Sequence, residues 1–314
     1  MVVYFKAAFG VCLLLCVAAS CLTQASAQQT AIRDEKLIDT LQDVLSGFRG
    51  DVGLYAYHLK SRRVAAINAD TIFPTASTIK VPIFCGLCEK IDRGELSYRR
   101  PLVYQTARAV KGSGIMKYFQ DSTKVSVSTL ATLMIIFSDN SASFWCQELA
   151  GGGAQINKWL ARNGFKDTRV NSRTEGRQED YRRYGWGQTT PREMATLMLD
   201  ICKNKVLTPA ACDRMYRTLS QQTHDRRSLS EIPPYIQTAD KTGGVNASRS
   251  EVVFVSAPHG DYVFAVYTKN NADHTWRRNN EAQELIRQVS AVLWHHFEPD
   301  SRWRPPVGNE KFRY

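Results

Sequence analysis

Strand-forming segments lie near the two ends of this 314-residue chain, and the stretch between them reads as mostly helical. Near the N-terminal end, "VGLYAYHL" and "RVAAIN" flank the short turn "KSR" and read as two strands. Near the other end, "TADKTG", "EVVFVSAP" and "YVFAVYTKN" read as consecutive antiparallel strands. The economical fold class is α/β (α+β): one antiparallel sheet built from both chain ends, flanked by helices, with an all-helical domain inserted. The expected division places the α/β part at residues 28–75 and 232–300 and the helical part at 76–231, with a basic tail over 301–314. Hydrophobic residues make up 43% of the chain, enough for a sizeable core.

The helices carry their own signals. Leu37, Ile38, Leu41, Val44, Leu45 and Phe48 recur at helical spacing, and glycine follows. "TTPREMATLMLDIC" offers Thr190 as cap, Pro191 in the first turn and Glu193 three residues after the cap. "VSVSTLATLMIIFSDNSASFWCQELA" is the most apolar stretch of the middle and predicts a buried helix pair. "NEAQELIRQVSAVLWHHF" predicts a closing amphipathic helix.

The first residues read as an export leader. Lys6 precedes an apolar run over residues 7–22, and "ASA" before Gln28 suits a signal peptidase, so cleavage is expected after Ala27. The run is short for a membrane span, which takes roughly 20 residues, and "VAAS" before Cys21 is a poor lipobox. Five cysteines then remain: Cys85, Cys88, Cys146, Cys202 and Cys212. Export permits disulfides, an odd count leaves a free thiol, and Cys202–Cys212 is the expected pair. Cys85 and Cys88 lie in an apolar helical stretch and read as core thiols rather than a zinc or redox site.

The formal charge of +11 suits an anionic setting, for an exported protein a cell wall or membrane surface rather than nucleic acid. A solvated basic surface accounts for it equally. His295 and His296 are adjacent and do not face one way, so no metal or other cofactor is expected.

Three short motifs carry the chemistry. In "STIK", Ser77 and Lys80 are three apart and share a helix face. A serine is a poor nucleophile until a base takes its proton, and a lysine does so only when partly neutral. The apolar "VPIF" that follows offers the burial this needs, although a serine at a helix start is also an ordinary cap. "SDN", Ser138–Asp139–Asn140, follows the apolar "LMIIF", where turn residues alone would explain it. "KTGG", Lys241 to Gly244, ends a strand and reads singly as a hairpin loop.

In this order the three motifs resemble those of the class A β-lactamase-like serine hydrolases, the β-lactamase and penicillin-binding protein superfamily. The resemblance runs from about Leu37 to Phe297. It implies that Ser77 is acylated with Lys80 as proton partner, and that Ser138 passes a proton to the leaving nitrogen beside Lys241. Asn140 would bond the substrate amide and Thr242 its carboxylate. The N–H groups of Ser77 and Gly244 would form the oxyanion hole. Asp139 and Gly243 would be structural, and Arg249 would help to hold the carboxylate. Glu175, in "SRTEGRQED", matches the glutamate that holds the deacylating water. A capping box from Ser172 accounts for it otherwise, and counting from "TRV" places the match at Thr174.

The loop departs from the family pattern. Glu179 stands where an asparagine is usual, Gln188 would face Arg173 where an aspartate is usual, and "EDYRRYGWGQ" is unusually charged and aromatic. A second carboxylate near Glu175 would raise one of their pKa values. Three functions therefore compete. One is a β-lactamase using Glu175 for deacylation. Another is a D-Ala-D-Ala peptidase or esterase that releases β-lactams slowly, and the third is a non-catalytic wall-binding protein. The expected partner is a β-lactam or cell-wall peptide, bound by a monomer without nucleic acid.

Overall fold

The structure is a computed structural model that describes residues 31–312; the leader, its cleavage after Ala27 and Cys21 lie outside the described residues. The chain opens with β1 (Ile32–Arg33), α1 (Glu35–Leu45), β2 (Asp51–His58), β3 (Arg63–Ile67) and β4 (Phe73–Pro74). The middle holds α2 (Lys80–Asp92), β5 (Pro101–Val103), β6 (Lys124–Ser126), α3 (Val127–Ile136), α4 (Asn140–Leu149) and α5 (Gly152–Arg162). It continues through β7 (Arg169–Val170), α6 (Gln178–Tyr184), β8 (Gly187–Thr189), α7 (Pro191–Cys202) and α8 (Pro209–Leu219). The chain closes with β9 (Thr238–Val245), β10 (Ser248–Val255), β11 (Tyr262–Lys269) and α9 (Glu281–Phe297).

The main sheet has the order β1-β3-β2-β11-β10-β9, so both chain ends build it as expected. All its pairs are antiparallel except β1 with β3, a two-residue parallel ladder from Ile32 and Arg33. The inserted part is not purely helical: β4, β8 and β7 form a small sheet, and β5 pairs with β6. These strands are two or three residues long, too short for an alternating pattern to register.

Helices cover both faces of the main sheet, which is why β10 and β11 read as unbroken apolar runs. Val252, Phe254, Val263, Ala265 and Tyr267 point into one core with Met194, Leu197 and Met198 of α7. Their neighbours Val253, Val255, Phe264 and Val266 point into the other, with Leu37, Ile38 and Leu41 of α1 and Leu293 and Trp294 of α9. Each such side chain contributes roughly 1.5–3 kcal/mol by leaving water. The helix starts follow their caps: Asp34 accepts from Leu37 N (3.2 Å) and Thr190 from Glu193 N (3.2 Å), with Pro191 in the first turn.

The expected Cys202–Cys212 disulfide does not form; all five cysteines from Cys85 to Cys212 are free. Cys212 Sγ instead lies 3.6 Å from the Leu207 carbonyl, inside the core. Burial raises the thiol pKa of Cys85, Cys88, Cys146 and Cys202, which keeps them protonated and unreactive. Among the described residues, no helix is long and apolar enough to cross a membrane.

Candidate active site

Ser77 sits in a single turn of 3-10 helix, Ala76–Ile79, that runs straight into α2. The turn is locked from below. Thr75 O accepts from Thr78 N (3.1 Å), Thr78 Oγ1 (2.9 Å) and Ser250 Oγ (2.9 Å), the last from β10. Ala76 holds a positive φ of 45°, a costly conformation for a residue with a side chain, and so does Ser138 at 51°. Both neighbour or belong to the motifs, and both are held by packing on every side.

Lys80, wholly buried, joins two of the three motifs. Its Nζ lies 3.1 Å from Ser77 Oγ, 3.1 Å from Ser138 Oγ, 2.6 Å from Ser138 O and 2.9 Å from Asn140 Oδ1. Burial holds its pKa well below the usual lysine range, and the nearby Lys241 lowers it further against the opposing pull of Asp139. Lys241, also fully buried, donates to Thr242 O (3.1 Å), and burial brings its pKa to about 8. Buried Asp240 and Glu251 lie beside it, and burial raises the pKa of both.

The remaining motif residues divide as their chemistry suggests. Asp139 caps α4, accepting from Ala142 N (2.9 Å) and, from across the loop, Met116 N (2.7 Å). Asn140 donates its Nδ2 to Lys111 O (3.0 Å) while its Oδ1 faces Lys80. Gly243 passes so close to the Ser77 turn that an added Cβ would lie 2.5 Å from Thr75 O and 3.0 Å from Ser77 N. Ser77, Ser138, Asn140, Thr242, Gly243 and Gly244 all line one cavity of ≈ 1220 Å³.

Arg249 and Glu175 do not line it. Arg249 is paired with Gly244 and shares the face of β10 that carries Val253 and Val255 towards α9. Its guanidinium donates to the carbonyls of Val245, Asn246 (3.3 Å), Ser248 (3.0 Å) and Thr275 (2.7 Å), which fixes the β9–β10 turn. Glu175 is exposed, while Thr174 beside it is buried and bonds Ser172 O (3.0 Å). Gln188 does not face Arg173: Arg177 bonds both Gln188 Oε1 (2.8 Å) and Asn171 Oδ1 (2.9 Å), and Arg173 stacks on Phe144 at 3.9 Å. Glu179 pairs with Arg182 rather than with a loop carboxylate partner.

Several lining residues carried no sequence signal. Arg227 donates to Gly243 O (2.8 Å) and Ser250 O (3.1 Å), at the same strand edge as Thr242. It lies 14 residues before Lys241 in a stretch without helical or strand periodicity. His224 is held neutral, its pKa brought down to about 4 by burial and by Lys241 and Arg227. Trp186, whose ring centroid is 5.7 Å from Lys80 Nζ, and Tyr181 to Tyr184 belong to the charged, aromatic stretch that stood out in the sequence.

A buried lysine bonded to a serine at a helix start, walled by a second serine and an edge strand, is an arrangement able to activate a serine hydroxyl. The chain belongs to the beta-lactamase enzyme family, whose model matches residues 36–297. It is similar to β-lactamase VEB-1 of Pseudomonas aeruginosa, 23% identical over 82% of this chain and 89% of that protein. It is also similar to the extended-spectrum β-lactamase PER-1 of the same organism, 24% identical over 86% and 90%. Among solved structures, PBP-A superposes with a TM-score of 0.76 at 27% identity, covering 85% of this chain and 98% of that one. A variant of PBP-A, solved as an acyl-enzyme complex with penicillin G, superposes equally well. The β-lactamase of Sphaerobacter thermophilus shares the fold, with a TM-score of 0.75 at 23% identity.

Proposed function

We propose that this protein is an exported serine hydrolase that opens β-lactam amides by acylating Ser77 and releases the acyl group slowly. The observation that carries the first half is the contact of Lys80 Nζ with Ser77 Oγ at 3.1 Å, inside a site that depresses the lysine pKa. Ser77 Oγ attacks the amide carbonyl carbon as its proton passes to neutral Lys80. The C–N bond then breaks, and Ser138 Oγ delivers a proton to the leaving nitrogen, drawing on Lys80 3.1 Å away. Lys241 favours negative charge on this side of the cavity. Thr242 and Arg227 receive the substrate carboxylate, and the N–H groups of Ser77 and Gly244 stabilise the oxyanion as it develops. Asn140 orients the amide side chain. Asp139 and Gly243 hold the site's shape.

The second half rests on the cavity wall. Its described lining residues include no aspartate or glutamate, and Glu175 is exposed outside it. No carboxylate there draws a proton from the water that would free the acyl group. A D-Ala-D-Ala-type peptide or an ester is the alternative natural acyl donor, favoured by the same missing carboxylate and by the likeness to PBP-A.

A chromogenic cephalosporin mixed with the purified protein tests this, with colour and intact mass followed together. The expected result is a stable adduct mapped to Ser77 with little turnover. Rapid turnover abolished by Glu175→Ala would restore fast Glu175-assisted hydrolysis. Absence of any adduct and any turnover would overturn both readings.

A further inference from the structure

The described residues lining the cavity include four basic side chains, Arg182, Arg183, Arg227 and Lys269, and no carboxylate. Two of these have a local role. Arg227 is bonded to Gly243 O and Ser250 O on the β9 wall, and Lys269 donates to Ile72 O (3.0 Å) while stacking on Phe73. Arg182 and Arg183 stand on a different wall, formed by α6.

That helix separates its charges. Its acidic first turn does not line the cavity: Asp180 pairs with Arg177 (3.1 Å), and neither it nor Glu179 is a lining residue. Its last turn, Tyr181 to Tyr184, lines the cavity and carries two arginines between two tyrosines. Arg183 rests on the Tyr184 ring (5.1 Å) and forms no ion pair among the described residues. Arg182 pairs only with Glu179, a contact in which the two side chains are 70% and 86% exposed. An exposed pair of this kind is worth little, so a bound carboxylate displaces it at small cost. Trp186 and Trp276 line the same cavity and offer flat apolar surface for a ring.

We infer that the substrate carries a second negative charge, on its acyl side chain, received by Arg182 and Arg183 of α6. This rests on the acyl-serine reading above and adds to it a substrate class: aryl-bearing acyl donors with an anionic group, beyond the carboxylate held at Thr242 and Arg227. Guanidiniums suit the task because they stay charged and grip carboxylates in two-point fashion.

Two penicillins that differ by one carboxylate test it: benzylpenicillin and α-carboxybenzylpenicillin. Acylation rate constants are measured on the purified protein by intact mass, at low and high salt. The carboxylated compound is expected to acylate Ser77 roughly fivefold faster or more at low salt, the ratio shrinking as salt screens the charges. The double substitution Arg182→Ala, Arg183→Ala should bring the ratio near one, and Arg182→Lys, Arg183→Lys should retain most of it. Because the ratio is read within each protein, a general loss of activity does not mimic the effect. Equal rates in the wild type, or an undiminished preference in the alanine variant, overturn the inference and leave the acyl-serine reading standing. No adduct with either compound overturns both.

Discussion

Lys80 Nζ lies 3.1 Å from Ser77 Oγ although the lysine side chain is wholly buried. A buried amine this close to a hydroxyl is useful only if it can shed its own proton, and the surroundings push it to do so. Its native pKa is below the ordinary 10.5 of the unfolded chain, so between those values the unfolded state binds the extra proton. Stability therefore rises with pH across that window, and protonated Lys80 costs stability beneath it. Lys80→Met should gain on the wild type as pH is lowered from 10 to 7, seen as a pH-dependent difference in melting temperature. Its acylation rate should fall by roughly 10²–10⁴. A pH-independent difference would show that Lys80 is not depressed.

Glu175→Gln should leave acylation and turnover within about twofold of the wild type, as an exposed substitution does. Steady-state rates with a chromogenic cephalosporin check this. A loss of two orders of magnitude would mean that the loop swings the carboxylate into the cavity once substrate binds.

Arg227 and Arg249 should respond differently to truncation. Arg227→Ala removes the guanidinium beside Thr242 and should weaken carboxylate substrates by about 1.5–3 kcal/mol, read in KM or the acylation constant. Arg249→Ala strips four carbonyls of a shared donor. It should destabilise the fold by about 1–3 kcal/mol, measured by urea titration.

Gly243→Ala places a Cβ 2.4 Å from Ser250 Oγ and 2.5 Å from the Thr75 carbonyl, which holds the Ser77 turn. Its neighbour Gly244→Ala meets only the side chains of Arg249, Arg227 and Trp276, at 3.2 to 3.4 Å. Acylation of Ser77 should collapse in the first variant and survive, slowed, in the second. Equal effects would mean that the turn is not what Gly243 protects.

With all five cysteines from Cys85 to Cys212 free, a thiol reductant should leave the melting temperature unchanged. A thiol reagent should react quickly only after denaturation, Cys202 being the least buried of the five. A fall in melting temperature with reductant would reveal a disulfide.

The sheet was legible in the sequence because two covered faces leave long apolar runs, as in "EVVFV" and "YVFAVY". Ser77, Lys80, Ser138 and Asn140 were legible because helical spacing and a polar break after "LMIIF" are local facts, and the structure brings the other three within bonding distance of the Lys80 amine. Arg249 was expected at the site but does not line the cavity, since a spacing does not say which face of a strand is presented. Its guanidinium is held by backbone carbonyls and lies over Trp276, and the guanidinium bonded to Gly243 O and Ser250 O is that of Arg227. Glu175 shows a similar limit, since one residue of register in an irregular loop decides between a buried Thr174 and an exposed carboxylate. The disulfide expectation failed for want of side-chain direction, which proximity in sequence does not supply.

The central pairing of β2 with β11 has a consequence for how the chain is made. Asp51 on β2 accepts a bond from Asn270, which follows it by 219 positions. A ribosome delivers Ser77 and Ser138 early and Lys241 late, and β2 has no partner on its inner side until residues 262–269 arrive. Until then it presents an open edge, which invites pairing with other chains. A truncated product is thus no weak version of the hydrolase; it lacks both a closed sheet and the strand edge that faces Ser77 across the cavity. The cavity is completed as a single late event, when the last strands close the gap.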